Sequence, residues 1–289
     1  MTRAPPCVEI QPGITEVSYP TLALPLPRHF SYSSMTNFQG CARRWWYHYI
    51  AHAPHEHIGS SLLFGGSLHA ALEQTHRTHQ LNEIVEFESI FTVFEEHWRR
   101  ASAFREVKFN KTETEAVLFD RADALLHSYV EDRLPLAGRI TGTEESVRLD
   151  VPGLNVPVIG RIDLRIETDW SVVIVDAKTS KTAFNEDKLI QATSQLALYG
   201  SAFEPLGIQL GKTIRGRFVV FRKLKRPKIE VVNVDLSAAD VNRTLRMLRE
   251  TWSLIEAAYA AGSFPANPGW QCKQCPFRNR CQNDTGQDL

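Results

Sequence analysis

The sequence of 289 residues is poor in cysteine and has no long apolar run. Its five cysteines are an odd and low number for a chain of this length, which argues against a secreted scaffold held by disulfides. No run of about 18 apolar residues is present, so the sequence predicts no membrane-spanning helix. The opening residues, MTRAPPCVEIQPG, lack the apolar segment of a signal peptide. These absences together lead us to expect a cytoplasmic protein in a reducing compartment.

The sequence also lacks net charge, because 33 Lys and Arg residues balance 33 Asp and Glu residues. Since non-specific affinity for phosphates comes mainly from Lys and Arg, a neutral total at first argues against a nucleic-acid partner. The total hides a segregation of charge, however, because segment 212–228 has eight basic residues and no acidic one. A hairpin this basic could follow a phosphate backbone. The neutral total therefore does not exclude nucleic acid.

The period of the apolar residues predicts a helical first half. Residues 1–30 are rich in proline and are expected to form an extended arm. The three- and four-residue spacing of apolar side chains predicts one amphipathic helix from Ser33 to Tyr49, with Cys41 on it. A break at Gly65 and Gly66 is expected to precede a second helix. Two further helices, one from Ile84, complete a helical lobe over 31–135.

The second half changes to a period of two, which is typical of strands. A sheet core is expected over 143–235, followed by a C-terminal helix and cysteine cluster over 237–282 and a tail over 283–289. Ser237 with Asp240 resembles a capping box at the start of the long helix, which Gly262 would end. The core contains a helix at about 186–203 and these predicted strands: Val147–Val151, Val156–Glu167, Val172–Lys178, Thr213–Phe221 and Lys228–Val234. The first three are expected to form an antiparallel meander.

Two carboxylates and a lysine lie on apolar strands of this core. The segment SVVIVDAKTS is a nearly continuous apolar run that ends in Asp176, Ala177 and Lys178, where charges are costly unless they are paired or bind a metal. A simple ion pair between Asp176 and Lys178 is one interpretation. The other is a Mg²⁺ or Mn²⁺ site, with Asp163, Asp176 and the carbonyl of Ala177 as oxygen ligands. Such an ion can activate water to attack a phosphodiester, while Lys178 assists the attack.

The order Asp163, twelve residues, Asp176-Ala177-Lys178 resembles the PD-(D/E)xK nuclease core, and its surroundings resemble the RecB-like branch. The segment FGGSLHAALE is similar to that branch's upstream motif, which implies that His69 joins the metal ligands. A core histidine is the alternative. The segment QLALY is similar to the Q-x-x-x-Y motif, which implies that Gln195 and Tyr199 contact the active site or DNA. The resemblance also implies that one of two neighbouring carboxylates, Glu144 or Glu145, approaches the metal, unless both are solvated surface charges.

Three cysteines near the end, Cys272, Cys275 and Cys281, have the spacing C-x2-C-x5-C. In a reducing compartment this spacing is more typical of metal binding than of a disulfide. The sequence offers Cys7 and Cys41 as candidates for a fourth ligand.

The segment SYSSMTNFQGCARRWWYHYI resembles the N-terminal element of the iron-sulfur members of the RecB-like group. That group includes the CRISPR-associated RecB-like nucleases, the AddB nuclease subunit and exonuclease V. The resemblance implies a 4Fe-4S cluster held by Cys41 and the three C-terminal cysteines, with zinc as the alternative metal and Cys7 free. The family often has proline after the first cysteine, where this chain has Ala42.

The resemblance covers about residues 30–282 and implies an α/β, restriction-endonuclease-like core with a central mixed sheet, an N-terminal helical lobe and a C-terminal iron-sulfur staple. It implies metal-dependent hydrolysis of DNA, expected to be single-stranded and degraded from an end, in repair, recombination or CRISPR adaptation. A non-catalytic DNA-binding or assembly factor is the alternative. Because no G-x-x-x-x-G-K-[ST] motif is present, unwinding would need a separate helicase. The expected DNA contacts are Arg43, Arg44, Arg215, Arg217, Arg222, Lys223, Lys225 and Arg226.

Overall fold

The computed structural model describes residues 24–132, 137–182 and 186–286. Most of the predicted arm, including Cys7, and the last three residues lie outside these ranges. None of the helices in the described ranges has the length and apolar character needed to cross a membrane.

The first half is helical, as the apolar spacing predicts. It also contains two short parallel strands, β1 (His57–Gly59) and β2 (Glu106–Lys108). The helices are α1 (Tyr32–Gly40), α2 (Ala42–Tyr49), α3 (Ser60–Gln80), α4 (Phe87–Ser102) and α5 (Glu115–Asp132).

The second half forms a five-stranded mixed sheet in the order β3-β4-β5-β6-β7. Only the central β5–β6 pair is parallel, because α6 (Glu186–Ser201) and α7 (Glu204–Leu210) lie between these two strands in the chain. The last elements are α8 (Ala238–Ala260), a 3₁₀ turn (Trp270–Gln274) and α9 (Arg278–Thr285). The strands are β3 (Arg139–Leu149), β4 (Val158–Glu167), β5 (Ser171–Ser180), β6 (Thr213–Arg222) and β7 (Lys228–Asp235).

Strand β5 is buried on both faces, which explains its nearly continuous apolar sequence. Val172 and Ile174 face a core formed with α1, α2, α6 and α8, whereas Val173 and Val175 face a second core formed with α3, α4 and α5. Because each face is covered by apolar helices, the register of β5 is strongly determined. The charged end of this strand is therefore held in one position.

One buried carboxylate joins the helical lobe to the end of β5. Glu113 accepts hydrogen bonds from Ser60 Oγ at 2.7 Å and from Asn110 Nδ2 at 2.8 Å, both in the lobe. Its other oxygen lies 2.6 Å from Nζ of Lys181, directly after β5. This contact fixes the start of α3 against the sheet.

Three sequence predictions about the helices are wrong. The predicted helix from Ser33 to Tyr49 is two helices, because the backbone is extended at Cys41, with φ −168° and ψ 111°. Its N-cap is Ser31, whose side chain accepts from the Ser34 N–H. The apolar spacing continues across the break, so it gives no sign of the interruption.

The predicted break at Gly65 and Gly66 lies inside α3. A Cβ atom at Gly65 would be 3.5 Å from Thr179 Oγ1, and one at Gly66 would be 3.1 Å from Cε1 of His97. Gly66 therefore lets α3 approach α4 closely, whereas a side chain at Gly65 would make only an ordinary contact with β5. The predicted start of the next helix at Ile84 is also too early, since α4 begins at Phe87 and Ile84 is 87% exposed.

Candidate active site

Three adjacent strands bring three carboxylates into one row. Antiparallel pairing of β4 with β5 matches Leu164 with Val175, so Asp163 and Asp176 follow as the next opposed positions. The backbone N–H of Ala177 donates to Oδ2 of Asp163 at 2.6 Å. On the other side of β4, Glu144 lies between the pairs that Thr143 and Glu145 make, and is therefore opposite Asp163.

A histidine from α3 completes this cluster. His69 Nδ1 lies 3.4 Å from Asp163 Oδ1. His69, Glu144 and Asp163 each offer one ligand atom, and these three atoms lie within 4.8 Å of one another. A nitrogen and two carboxylate oxygens at this separation fit a single divalent cation. Asp176 is not in this group of three, because its carboxylate pairs with Lys178.

The structure separates the two neighbouring glutamates that the sequence leaves open. Glu145 binds Arg165 through both oxygens, at 2.7 and 3.0 Å. Glu144 has a positive φ of +51°, which is uncommon for a residue other than glycine. It lies beside His69 and Asp163 and also contacts Arg161 at 2.5 Å. Glu144 is thus the one of the two that is available to a metal.

The carboxylates resist carrying several negative charges together. Burial, with the nearby charge of Asp163, raises the pKa of Glu144 to about 7. Burial also raises the pKa of Asp176, and the charge of Asp163 adds to this effect. Burial opposes ionisation of Asp163 too, but hydrogen bonds from His69 and the Ala177 N–H lower its pKa. A cation in the cluster would relieve this repulsion.

Lys178 lies next to the cluster, two residues after Asp176 on β5. Its Nζ is 2.7 Å from Asp176 Oδ2. Burial lowers the pKa of Lys178, but the charge of Asp176 outweighs this effect, so the pKa lies above its ordinary value. The predicted ion pair is therefore present, beside the predicted metal ligands. Lys178 Nζ also donates to Gln195 Oε1 at 3.4 Å.

The two residues of the QLALY segment act as a pair. Gln195 hydrogen-bonds to the hydroxyl of Tyr199, which is 5% exposed. The ring of Tyr199 lies over Gly160 of β4, where a Cβ atom would be only 2.2 Å from Cε1 of the ring. Tyr199 thus supports Gln195, and Gln195 contacts the lysine. The sequence gives no signal for the part played by Gly160, because a strand glycine has several explanations.

The four described cysteines line one cavity. Cys41 lies at the break between α1 and α2, Cys272 in the 3₁₀ turn, Cys275 directly after it, and Cys281 on α9. Among the described residues, no three of these sulfurs lie within 4.8 Å of one another.

Contacts outside the cavity hold the C-terminal segment against the first helices. Glu56, before β1, accepts hydrogen bonds from the N–H groups of Asn279 and Arg280 in the first turn of α9, at 3.2 and 3.0 Å. Tyr47 donates to Asp284 at 2.7 Å. Sequence reasoning missed Glu56, because a cap provided from more than 200 residues away leaves no local pattern.

The predicted DNA contacts need correction at three positions. Arg43, Arg222 and Lys223 are only 4%, 7% and 4% exposed. Arg43 lines the cysteine cavity, Arg222 pairs with Glu230 at 2.8 Å, and Lys223 lies over the Phe64 ring. Their burial leaves little surface for a phosphate backbone.

Two further arginines of the basic segment have partners on the neighbouring strand β7. Arg215 pairs with Asp235 at 3.2 Å, and Arg217 donates to Asn233 at 2.9 Å. Within 212–228 the exposed residues at the turn are Lys225 and Arg226. Arg44 is half-buried and donates to Asn37. Trp45 and Trp46 are buried in the core.

Three comparisons with known proteins bear on the family and the fold of this chain. The sequence profile of the PD-(D/E)XK nuclease superfamily matches residues 29–282. A candidate exonuclease from Eubacterium rectale, known from a crystal structure, has a TM-score of 0.53 at 14% identity, over 86% of this chain and 87% of its own. The crystal structure of SSO0001 has a TM-score of 0.41 at 16% identity, over 89% and 87%. A comparison with curated proteins finds no match.

The chain belongs to the PD-(D/E)XK nuclease superfamily, because the family profile covers nearly all of it. Members are phosphodiester hydrolases that use divalent metals, and the family implies DNA as the substrate. The five-stranded mixed sheet flanked by helices is consistent with a restriction-endonuclease-like fold.

Proposed function

We propose that this chain is a Mg²⁺- or Mn²⁺-dependent deoxyribonuclease that degrades single-stranded DNA from an end. The observation that carries the proposal is the proximity of His69, Glu144 and Asp163 beside the pair of Asp176 and Lys178. The family supports nuclease chemistry, and the resemblance to RecB-like exonucleases supports the single-stranded substrate.

The residues of the site would have different roles. His69, Glu144 and Asp163 would hold the cation, with Asp176 and the carbonyl of Ala177 beside them. When bound, such an ion lowers the pKa of a water molecule and neutralises charge on the phosphodiester.

Lys178 is charged and directed by Asp176 and Gln195, so its Nζ would donate to the attacked phosphate or orient the nucleophile. Burial of this ammonium strengthens its interaction with developing charge. Tyr199 would act only through Gln195.

We also propose that Cys41, Cys272, Cys275 and Cys281 hold a 4Fe-4S cluster. Four cysteines around one cavity match the ligand set of such a cluster, and the resemblance to the iron-sulfur members of the RecB-like group favours it over a single zinc ion. The cluster would join the first helices to the tail. From the resemblance we also propose helicase or CRISPR adaptation partners and a cytoplasmic location. From the exposed charge we propose DNA contacts at Arg44, Lys225 and Arg226.

The nuclease proposal is tested by digestion of labelled linear single strands in Mn²⁺. We expect wild-type protein and a Lys111→Ala control, which changes an exposed lysine, to degrade DNA, and a Lys178→Ala variant to be inactive. Equal rates for wild type and Lys178→Ala would refute a catalytic role for this site. Cleavage of circular single strands would refute degradation from an end.

The cluster proposal is tested on protein purified without oxygen. We expect brown protein with iron and acid-labile sulfide in equal amounts and broad visible absorbance. Colourless protein with stoichiometric zinc would contradict it.

A further inference from the structure

A groove of about 350 Å³ opens beside the catalytic lysine. Its walls come from α1, the end of β5 and α6. Lys178 and Gln195 line both this groove and the active site, whereas His69, Glu144 and Asp163 do not line the groove. The groove is thus a separate space that meets the active site at Lys178.

The lining of the groove favours an anion. Its lining includes two lysines, Lys178 and Lys188, the amide of Gln191 and the hydroxyls of Ser33 and Ser180, and no carboxylate lies among the described lining residues. Lys188 Nζ donates to the Thr182 hydroxyl at the edge of the groove. Among the described side chains, the carboxylates of His69's partners, Asp163 and Glu144, lie outside the groove lining. The protein therefore has an acidic half suited to a cation and a basic, hydroxyl-rich half suited to a phosphate.

The groove is also small, and its walls are joined by a hydrogen bond. The Tyr32 hydroxyl donates to the backbone carbonyl of Gln191 at 2.8 Å, which fixes α1 to α6. Ligand pockets commonly have volumes of roughly 300–1,000 Å³. The groove lies at the lower end of that range, which suits one nucleotide.

We propose that this groove binds the nucleotide next to the scissile phosphate, with Ser33 and Lys188 as phosphate contacts. This inference rests on the proposed nuclease function. The attacked phosphate must reach both the cation and Lys178, so the neighbouring nucleotide of the same strand enters the groove that shares Lys178.

The test compares Ser33→Ala and Lys188→Met with matched controls. Both residues line the groove but lie outside the metal cluster. Ser253→Ala changes an exposed serine on α8, and Lys111→Met changes an exposed lysine in a turn. Affinity for a short single-stranded oligonucleotide is measured by fluorescence anisotropy with Ca²⁺, and KM and kcat are measured with Mn²⁺. Thermal unfolding checks that each variant is folded.

We expect the Lys188→Met variant to raise Kd and KM about tenfold, since a hydrogen bond to a charged group contributes about 1.5–3 kcal/mol. Ser33→Ala should have a smaller effect in the same direction. Because neither residue touches the cation or the nucleophile, kcat should change less than about twofold. The controls should match wild type.

A product analogue gives a second measurement. A deoxynucleoside monophosphate should compete with the oligonucleotide for wild-type protein and about tenfold less well for Lys188→Met, whereas the deoxynucleoside without phosphate should not compete. Inhibition by inorganic phosphate as strong as by the nucleotide would overturn a nucleotide site.

The outcomes separate this inference from the nuclease proposal. If wild type cleaves DNA and both groove variants bind and cleave as wild type does, the groove assignment is wrong and the nuclease proposal stands. If the groove variants lose affinity but wild type cleaves nothing in Mn²⁺, the groove assignment is supported and the nuclease proposal fails.

Discussion

The metal cluster and the cysteine cavity both join distant parts of the chain, but they are positioned by different interactions. Glu144, Asp163 and Asp176 lie on three neighbouring strands, so the hydrogen bonds of the sheet fix their separation. Three of the cysteines instead lie at a helix break, in a 3₁₀ turn and after that turn, and only Cys281 lies within a regular α-helix.

This difference suggests how each region depends on its metal. The sheet should hold the carboxylates in place with or without a cation, because its strands pack against helices on both faces. The cysteine region also packs on the core, through Phe264, Phe277 and Cys281, but most of its proposed ligands lie outside regular elements, so the free energy of metal binding would contribute directly to its folding. On the proposed function, the carboxylate site would then be chiefly catalytic and the cysteine cavity chiefly structural.

The largest effect should come from removing a cation ligand. An Asp163→Asn variant keeps an acceptor for the Ala177 N–H but loses its charge, so we expect activity to fall about 10³-fold, as when a stabilising group is lost from a transition state, without a lower melting temperature. Digestion of single-stranded DNA and thermal unfolding measure the two effects. Asp169→Asn, in the exposed turn after β4, is the control. Retention of a substantial part of wild-type activity would contradict the assignment of Asp163.

The converse pattern is expected at the cysteine cavity. Cys275→Ala should lose the bound metal and lower the free energy of unfolding by about 2 kcal/mol or more, a fall of roughly 4–8 °C in melting temperature. Cys7→Ala should leave metal content and melting temperature unchanged, since Cys7 is proposed to be free. Iron and zinc analysis with calorimetry distinguishes the two variants. If Cys275→Ala keeps its metal and stability, the proposed structural role is wrong.

The sequence predicts the metal cluster better than its surroundings because a sheet has a simple period. Asp163, Asp176 and Lys178 could be placed from alternation along two strands. The choice between Glu144 and Glu145 could not, because it depends on the positive φ at Glu144 and on the partner Arg165.

The predicted DNA-binding surface also shows a limit of prediction from the sequence. Segment 212–228 has no acidic residue, yet Glu230 and Asp235 pair with its arginines from the neighbouring strand. Charge along one segment therefore does not give the charge of a surface, which depends on strand pairing. The helix break at Cys41 was missed for a related reason, since apolar spacing reports a helix face and not its continuity.

A smaller effect is expected at Gly160, on which the ring of Tyr199 packs and so supports Gln195 beside Lys178. In a Gly160→Ala variant, the new methyl group would overlap the ring of Tyr199, so we expect a loss of about 1–3 kcal/mol in stability, typical of overpacking, and reduced activity through Gln195. Gly59→Ala, where nothing lies within 4 Å of the new atom, should be nearly neutral. Urea denaturation compares the two. Equal stability of both variants would show that Tyr199 can move without consequence.

The smallest effect is expected at Glu113, whose contacts hold α3, and with it His69, against the sheet. Burial opposes ionisation of Glu113, but hydrogen bonds from Lys181, Asn110 and Ser60 lower its pKa to about 2. Because the folded pKa lies below the ordinary value of 4.5, ionised Glu113 stabilises the fold above about pH 4.5, and this contribution is lost as the pH falls toward about 2. Wild type should therefore lose stability on acidification faster than Glu113→Gln does, whereas the exposed Glu83→Gln control should follow wild type. Urea denaturation between pH 6 and pH 3 measures the difference, and parallel curves for wild type and Glu113→Gln would show that the sheet alone positions the histidine.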